Sequence, residues 1–93
     1  MSKKNIYEVE VSNDYLAKYN LVEEENANKE IIYGIEIELY DKNSMELKTE
    51  KYISKITDSY DKAMEIIKKL AQKDVTPDSL IYVIDEIFDS IED

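Results

Sequence analysis

The groups in this chain best able to do chemistry are carboxylates, and they are unevenly placed. Residues 76–93 hold Asp78, Asp85, Glu86, Asp89, Glu92 and Asp93 and no lysine. Asp78, Asp85, Asp89 and Glu92 follow one another at steps of 7, 4 and 3. That spacing puts side chains along one stripe of an α-helix. Most of these acids come late in the segment, where they oppose the negative end of a helix dipole and repel neighbours one turn away. The stripe therefore works slightly against its own helix, and a local conflict of this kind points to a surface kept for recognition. What it offers is attraction to ammonium and guanidinium groups. Glu23, Glu24 and Glu25 form a second acidic cluster. Tyr82 falls beside the stripe, off the apolar positions, and tyrosine supplies rigid, amphipathic contact area at interfaces.

Other chemistries lack their residues. Cys, His, Trp and Arg are absent, and Gly and Pro occur once each. No thiolate or imidazole is present for nucleophilic catalysis, structural zinc or haem ligation, and no disulfide can form. One glycine cannot build a phosphate-cradling loop. Nothing in the sequence sets a carboxylate pair against apolar walls, as acid–base work requires. The Asp/Asn loop with its turn glycine that binds Ca²⁺ is missing too. The sequence thus predicts a non-enzymatic protein with no cofactor and no metal. With 22 acids against 12 lysines, the net charge is −10. Direct nucleic-acid binding needs clustered cations and is not expected. No apolar run approaches the roughly 18 residues of a membrane span, and the polar start MSKKN does not read as a signal peptide. A cytoplasmic location is the expectation.

Positioning this charge requires elements, and the first half reads as strands. In 31–40 the odd positions are Ile31, Tyr33, Ile35, Ile37 and Leu39, alternating with Gly34, Glu36 and Glu38. A period of two marks a half-buried strand. The same odd parity holds for Tyr7, Val9 and Val11, for Tyr15, Ala17, Tyr19 and Leu21, and for Met45, Leu47 and Ile53. Strands are predicted over about 5–11, 15–23, 30–40 and 45–55. For odd residues to face odd residues across a hairpin, the loop length must be odd. Ser12-Asn13-Asp14 then sets Val11 opposite Tyr15, Val9 opposite Ala17 and Tyr7 opposite Tyr19. Lys42-Asn43-Ser44, with Asn43 suited to a left-handed position, sets Leu39 opposite Leu47 and Ile37 opposite Thr49. On the other face the same register pairs Glu38 with Lys48 and lays Tyr52 over Gly34.

The second half reads as two helices. Asp58 or Thr57 caps a segment over about 58–72, whose apolar positions Tyr60, Ala63, Met64, Ile67, Leu70 and Ala71 share one helical face. Thr76-Pro77 is a second start, a capping hydroxyl followed by proline at the first helical position. Leu80, Val83, Ile84, Ile87, Phe88 and Ile91 carry the same period over 77–91. A short connection favours antiparallel helices. The sheet has one apolar face to offer both. The prediction is a single α+β domain, a four-stranded antiparallel β-meander followed by two antiparallel helices packed on one face.

Two segments carry a resemblance: Tyr33-Gly34-Ile35-Glu36-Ile37, and the run from Leu70 to Phe88 (LAQKDVTPDSLIYVIDEIF). They resemble a family of small clostridial proteins, the domain-of-unknown-function family numbered 6514. Its pattern is a strand of YGI type, a variable hairpin, and a helix ending before a second helix that opens on Thr/Ser-Pro. Here that maps to Thr76-Pro77, Leu80, Val83-Ile84 and Asp85-Glu86, within about 19–91. The resemblance implies a hairpin with two helices and a low-GC bacterial or phage source. It implies no activity, cofactor or catalytic residue.

The functional expectation follows from charge. A dense carboxylate surface is attracted to basic protein surfaces, including the nucleic-acid channels of other proteins. Phage-encoded nuclease inhibitors that mimic DNA share this profile of small size, acidity and no cysteine. The chain is expected to be an acidic protein-binding module that regulates or inhibits a basic nucleic-acid-handling protein. Its contacts would be Asp78, Tyr82, Asp85, Glu86, Asp89 and Glu92, with Glu23, Glu24 and Glu25. The alternative is a self-associating structural domain, a homodimer formed through sheet edges or the uncovered sheet face.

Overall fold

The computed structural model describes residues 2–91, with side chains through residue 89. Its elements run β1 (Ser2–Val11), β2 (Tyr15–Glu25), β3 (Ile31–Asp41), β4 (Leu47–Thr57), α1 (Tyr60–Gln72) and α2 (Pro77–Ile91). The strands form one antiparallel sheet in the order β1-β2-β3-β4. The two helices pack on it, giving the α+β arrangement that the alternating and helical periods predict. α1 touches all four strands, and α2 lies against α1, β4 and β3. The core is the odd-numbered face of the two central strands. Ala17, Tyr19, Leu21, Ile35 and Ile37 are buried beneath Ala63, Ile66, Ile67 and Leu70 of α1 and Leu80 and Ile87 of α2. Each fully buried large side chain of this kind contributes about 1.5–3 kcal/mol. Ile66, which the predicted apolar positions omit, is fully buried. Tyr60, which they include, is exposed and packs edge-to-face on the Tyr33 ring at 5.8 Å.

The first hairpin has the predicted register: Val11 opposite Tyr15, Val9 opposite Ala17 and Tyr7 opposite Tyr19. Ser12 and Asn13 supply the left-handed turn residues at φ 51° and 67°. A bulge between Asn5 and Tyr7 then shifts the pairing by one, so that Asn5 meets Asn20 and Lys3 meets Val22. A one-residue slip flips faces. Lys3 and Asn5 therefore sit on the face away from the helices.

The second hairpin corrects the prediction. Its loop spans residues 42–46, five residues instead of three, and the left-handed residue is Met45 (φ 59°), not Asn43. Asp41 organises it. Its carboxylate accepts from the amides of Asn43 (2.9 Å) and Ser44 (3.0 Å), and its carbonyl accepts from Met45 N (2.8 Å). The longer loop sets Tyr40 opposite Leu47, and a bulge between Leu39 and Tyr40 completes a slide of two, so Leu39 meets Thr49, Ile37 meets Lys51, and Glu38 meets Glu50 instead of Lys48. Beyond that bulge the slip of two keeps the predicted faces. Tyr52 lands opposite Glu36, yet its ring still covers Gly34 diagonally. A Cβ at Gly34 would stand 2.9 Å from that ring and 2.7 Å from the Ile53 carbonyl oxygen. Glycine is required there by contact, not by backbone angle.

The helix ends are set by local hydrogen bonds. β4 runs on through Thr57, so the cap of α1 is Ser59, not Asp58 or Thr57; its hydroxyl accepts from Lys62 N at 3.2 Å. α1 closes with Asp74 N bonded to the Ala71 carbonyl and Val75 N to the Leu70 carbonyl, with Asp74 left-handed at φ 52°. This is a Schellman closure, with Val75 as its buried hydrophobic residue. At the start of α2 the Ser79 hydroxyl accepts from Thr76 N, and Ser79 N bonds to the Thr76 carbonyl, both at 3.1 Å; the Thr76 hydroxyl meets the Ser79 hydroxyl at 3.1 Å and not a backbone amide as predicted.

One bond ties this connection to the sheet. Tyr19 is fully buried at the centre of β2, and its hydroxyl donates to the Val75 carbonyl at 2.8 Å. Burial, and after it the negative charge of Asp74, push the phenol up to about 12 from 10.0. Replacing Tyr19 by Phe strands the Val75 carbonyl and should cost about 1–3 kcal/mol in urea denaturation. The sign of the pH effect follows from a raised folded-state pKa. The contribution is complete below the unfolded value near 10 and is lost as pH rises through about 12. Wild-type stability should fall more steeply over that window than that of Tyr19→Phe; equal slopes would contradict this role.

Candidate functional site

α2 positions most of the predicted site. Its inner side presents Leu80 and Ile87 to the core, with Val83, Ile84 and Phe88 packed at the margins. Asp78, Asp85, Glu86 and Asp89 are all exposed. The ion pairs among the described residues are Lys3 with Glu36 and Glu38, Lys42 with Glu10, and Lys48 with Glu46. None involves an α2 carboxylate. The last turn of α2 has no basic residue to offset its dipole. Lys62 of α1 lies over the Phe88 ring at 5.6 Å. Glu92 lies outside the described residues.

Tyr82 stands among these acids and is 81% exposed. Asp78 lies four residues before it, and Asp85 and Glu86 three and four after it, so all three are its neighbours on the helix surface. Ile81, which the sequence reading did not single out, is 56% exposed beside it. The signal was available. Leu80 to Ile84 are five apolar residues in succession, more than one helix face can bury.

The structure divides the second acidic cluster. Glu23 and Glu25 are exposed, whereas Glu24 is half-buried and has a structural task. Its carboxylate accepts from the Ser54 hydroxyl at 2.9 Å and from Lys55 N at 3.2 Å, where β4 bulges with Lys55 at φ 56°. Burial opposes its charge, but the Tyr52 and Ser54 hydroxyls and the Lys55 amide outweigh that and lower its pKa. The Tyr52 hydroxyl is itself buried without a well-formed hydrogen bond, and burial, then Glu24, push its pKa up. All three glutamates, with Ser2 and Ile31, line a shallow hollow of about 300 Å³.

The sheet face away from the helices carries a polar network that the sequence reading missed. Asn20 is 1% exposed. Its amide nitrogen donates to Glu36 (3.1 Å) and Glu38 (2.8 Å), and its oxygen accepts from Asn5 (3.0 Å). The Lys3 ammonium bridges the two carboxylates at 3.0 and 3.5 Å. The Tyr40 hydroxyl donates to Glu38 at 3.1 Å, and Lys18 sits over the Tyr40 ring at 4.9 Å. Burial opposes the Glu38 charge, but Asn20, then Lys3 and Tyr40, prevail and lower its pKa. A lowered pKa suits a fixed anion, not a proton donor at neutral pH. Among the described residues, no three His, Cys, Asp or Glu side chains gather as metal ligands, and no helix is long and apolar enough to cross a membrane.

Asn20→Ala removes the donor shared by Glu36 and Glu38. It should cost about 1–3 kcal/mol and raise the Glu38 pKa in a carboxyl NMR titration. In wild type, the stabilisation from Glu38 is complete above the usual carboxylate range and is lost as pH falls through its lowered value. An unchanged Glu38 titration in the variant would refute the shared-donor geometry.

No curated protein and no solved structure matches the chain. One family does, over residues 1–90. The chain belongs to the family of unknown function DUF6514.

Proposed function

We propose that this protein is a non-enzymatic binding module whose α2 outer face engages a basic surface on another protein. The observation that carries the reading is the set of exposed carboxylates Asp78, Asp85, Glu86 and Asp89, none in an ion pair among the described residues, around a protruding Tyr82. Uncompensated charge on one element steers association and selects partners of opposite sign. Basic surfaces are typical of proteins that handle nucleic acids. Regulation or inhibition of such a protein is the role the charge supports. Glu23 and Glu25 extend the negative field; Glu24 belongs to the β4 bulge.

Self-association through the sheet edges is the weaker reading, because both edges are guarded. β1 bulges between Asn5 and Tyr7 and carries Lys3 and Lys4. β4 bulges near Lys55 and carries Lys48 and Lys51. Bulges and edge lysines are the usual means of blocking edge-to-edge pairing.

The acids of α2 also make a stability argument testable. Asp85, Glu86 and Asp89 sit toward the negative end of the helix dipole, an unfavourable placement worth a few tenths of a kcal/mol per charge. The triple variant Asp85→Lys/Glu86→Lys/Asp89→Lys should melt no lower than wild type while losing the proteins recovered with wild type in a pull-down at physiological salt. Identical recovery would remove the proposal. A marked loss of stability would show that the acids serve the fold.

A further inference from the structure

Resting on the binding reading above, we infer that recognition is anchored by Ile81 and Tyr82 entering an apolar pocket rimmed by lysine or arginine on a partner protein. In this inference α2 acts as the inserted helix, and its carboxylates do not occupy a phosphate-binding channel by charge alone. A helix lying on a sheet needs one apolar stripe, and α2 has that in Leu80, Ile87 and their half-buried neighbours. Ile81 and Tyr82 add two large side chains that the fold does not use, 56% and 81% exposed. Phosphate mimicry has no need of them. A protein groove does, because tyrosine and large apolar side chains dominate the centres of interfaces while charges collect at the rim. The arrangement here is of that kind: Asp78, Asp85 and Glu86 flank Tyr82 within one helical turn on either side.

Charge decides the occupant. A second copy docking through this face would oppose Asp78, Asp85, Glu86 and Asp89 to the same four carboxylates, none of which has an ion-pair partner among the described residues. Desolvating like charges against one another is strongly unfavourable. A partner with basic groups around an apolar pocket satisfies both features of the face together, by helix-in-groove recognition.

Two short synthetic helical peptides of equal positive charge test this with the full chain. One has leucines along one face and lysines on its flanks; the other has serines in place of the leucines. The leucine peptide should bind at least about tenfold more tightly at physiological salt, with NMR shifts centred on residues 78–89. The exposed-site variant Ile81→Ser/Tyr82→Ser should keep its melting temperature and lose that preference. Equal binding of the two peptides, abolished only by Asp85→Lys/Glu86→Lys/Asp89→Lys, would overturn the inference while sustaining the basic-partner reading. Binding of neither would overturn both. A dimer in sedimentation that Tyr82→Ser disperses would assign the face to a second copy and overturn the inference.

Discussion

The bond from the Tyr19 hydroxyl to the Val75 carbonyl governs where the rest of the molecule can go. It crosses from the centre of β2 to the connection between the helices, at a point where both groups are removed from water. The carbonyl it satisfies belongs to the residue that closes α1, and the next residue caps α2. Once that corner is pinned, α2 can only lie back along β4 and β3 with Leu80 and Ile87 inward. Its acids and Tyr82 then face out. Had the corner floated, the five apolar residues from Leu80 to Ile84 would have offered more than one helix rotation.

The two sides of the sheet solve different problems. The helix side is apolar and buries the odd residues of β2 and β3. Among the described residues no element covers the other side, yet Asn20 and Val22 are buried there, with Lys3, Glu36 and Tyr52 beside Val22. Lys3 and Asn5 reach this face only because the β1 bulge flips their parity. The cost is visible at Glu38, which faces Glu50 across β3 and β4; like charges in direct opposition are unfavourable. Asn20, Lys3 and Tyr40 compensate at Glu38, so the sheet face spends its polar groups on itself. Among the described residues no ion pair engages the acids of α2, and the proposed binding role of the helix rests on that difference.

Much of this was legible in the residues themselves. Strict alternation located all four strands, and the first hairpin's register followed from parity and a three-residue turn. Thr76-Pro77 marked the start of α2, and the lysine-free stretch after it marked the acidic face. The second hairpin was misread because a side chain decided it. Asp41 caps the loop and lengthens it to five residues, and no periodicity records whether an aspartate bonds its own turn. The Asn20 network was hidden for a similar reason. It draws on β1, β2 and β3 and depends on a bulge, and bulges leave little trace in local composition. The run Glu23-Glu24-Glu25 read as one patch, but strand alternation turned its middle member toward β4. Ile81 was passed over because it lay off the helical period, and its departure from that period is what makes it informative.

The central claim is geometric: α2 docks by its apolar side and holds Tyr82 outward among exposed carboxylates. Nitration of the eight tyrosines, mapped by mass spectrometry on the native protein, tests it most directly. Tyr82 should be modified first, and Tyr19 should stay unmodified until the protein unfolds. A protected Tyr82, or a Tyr19 that reacts alongside it, would contradict the account.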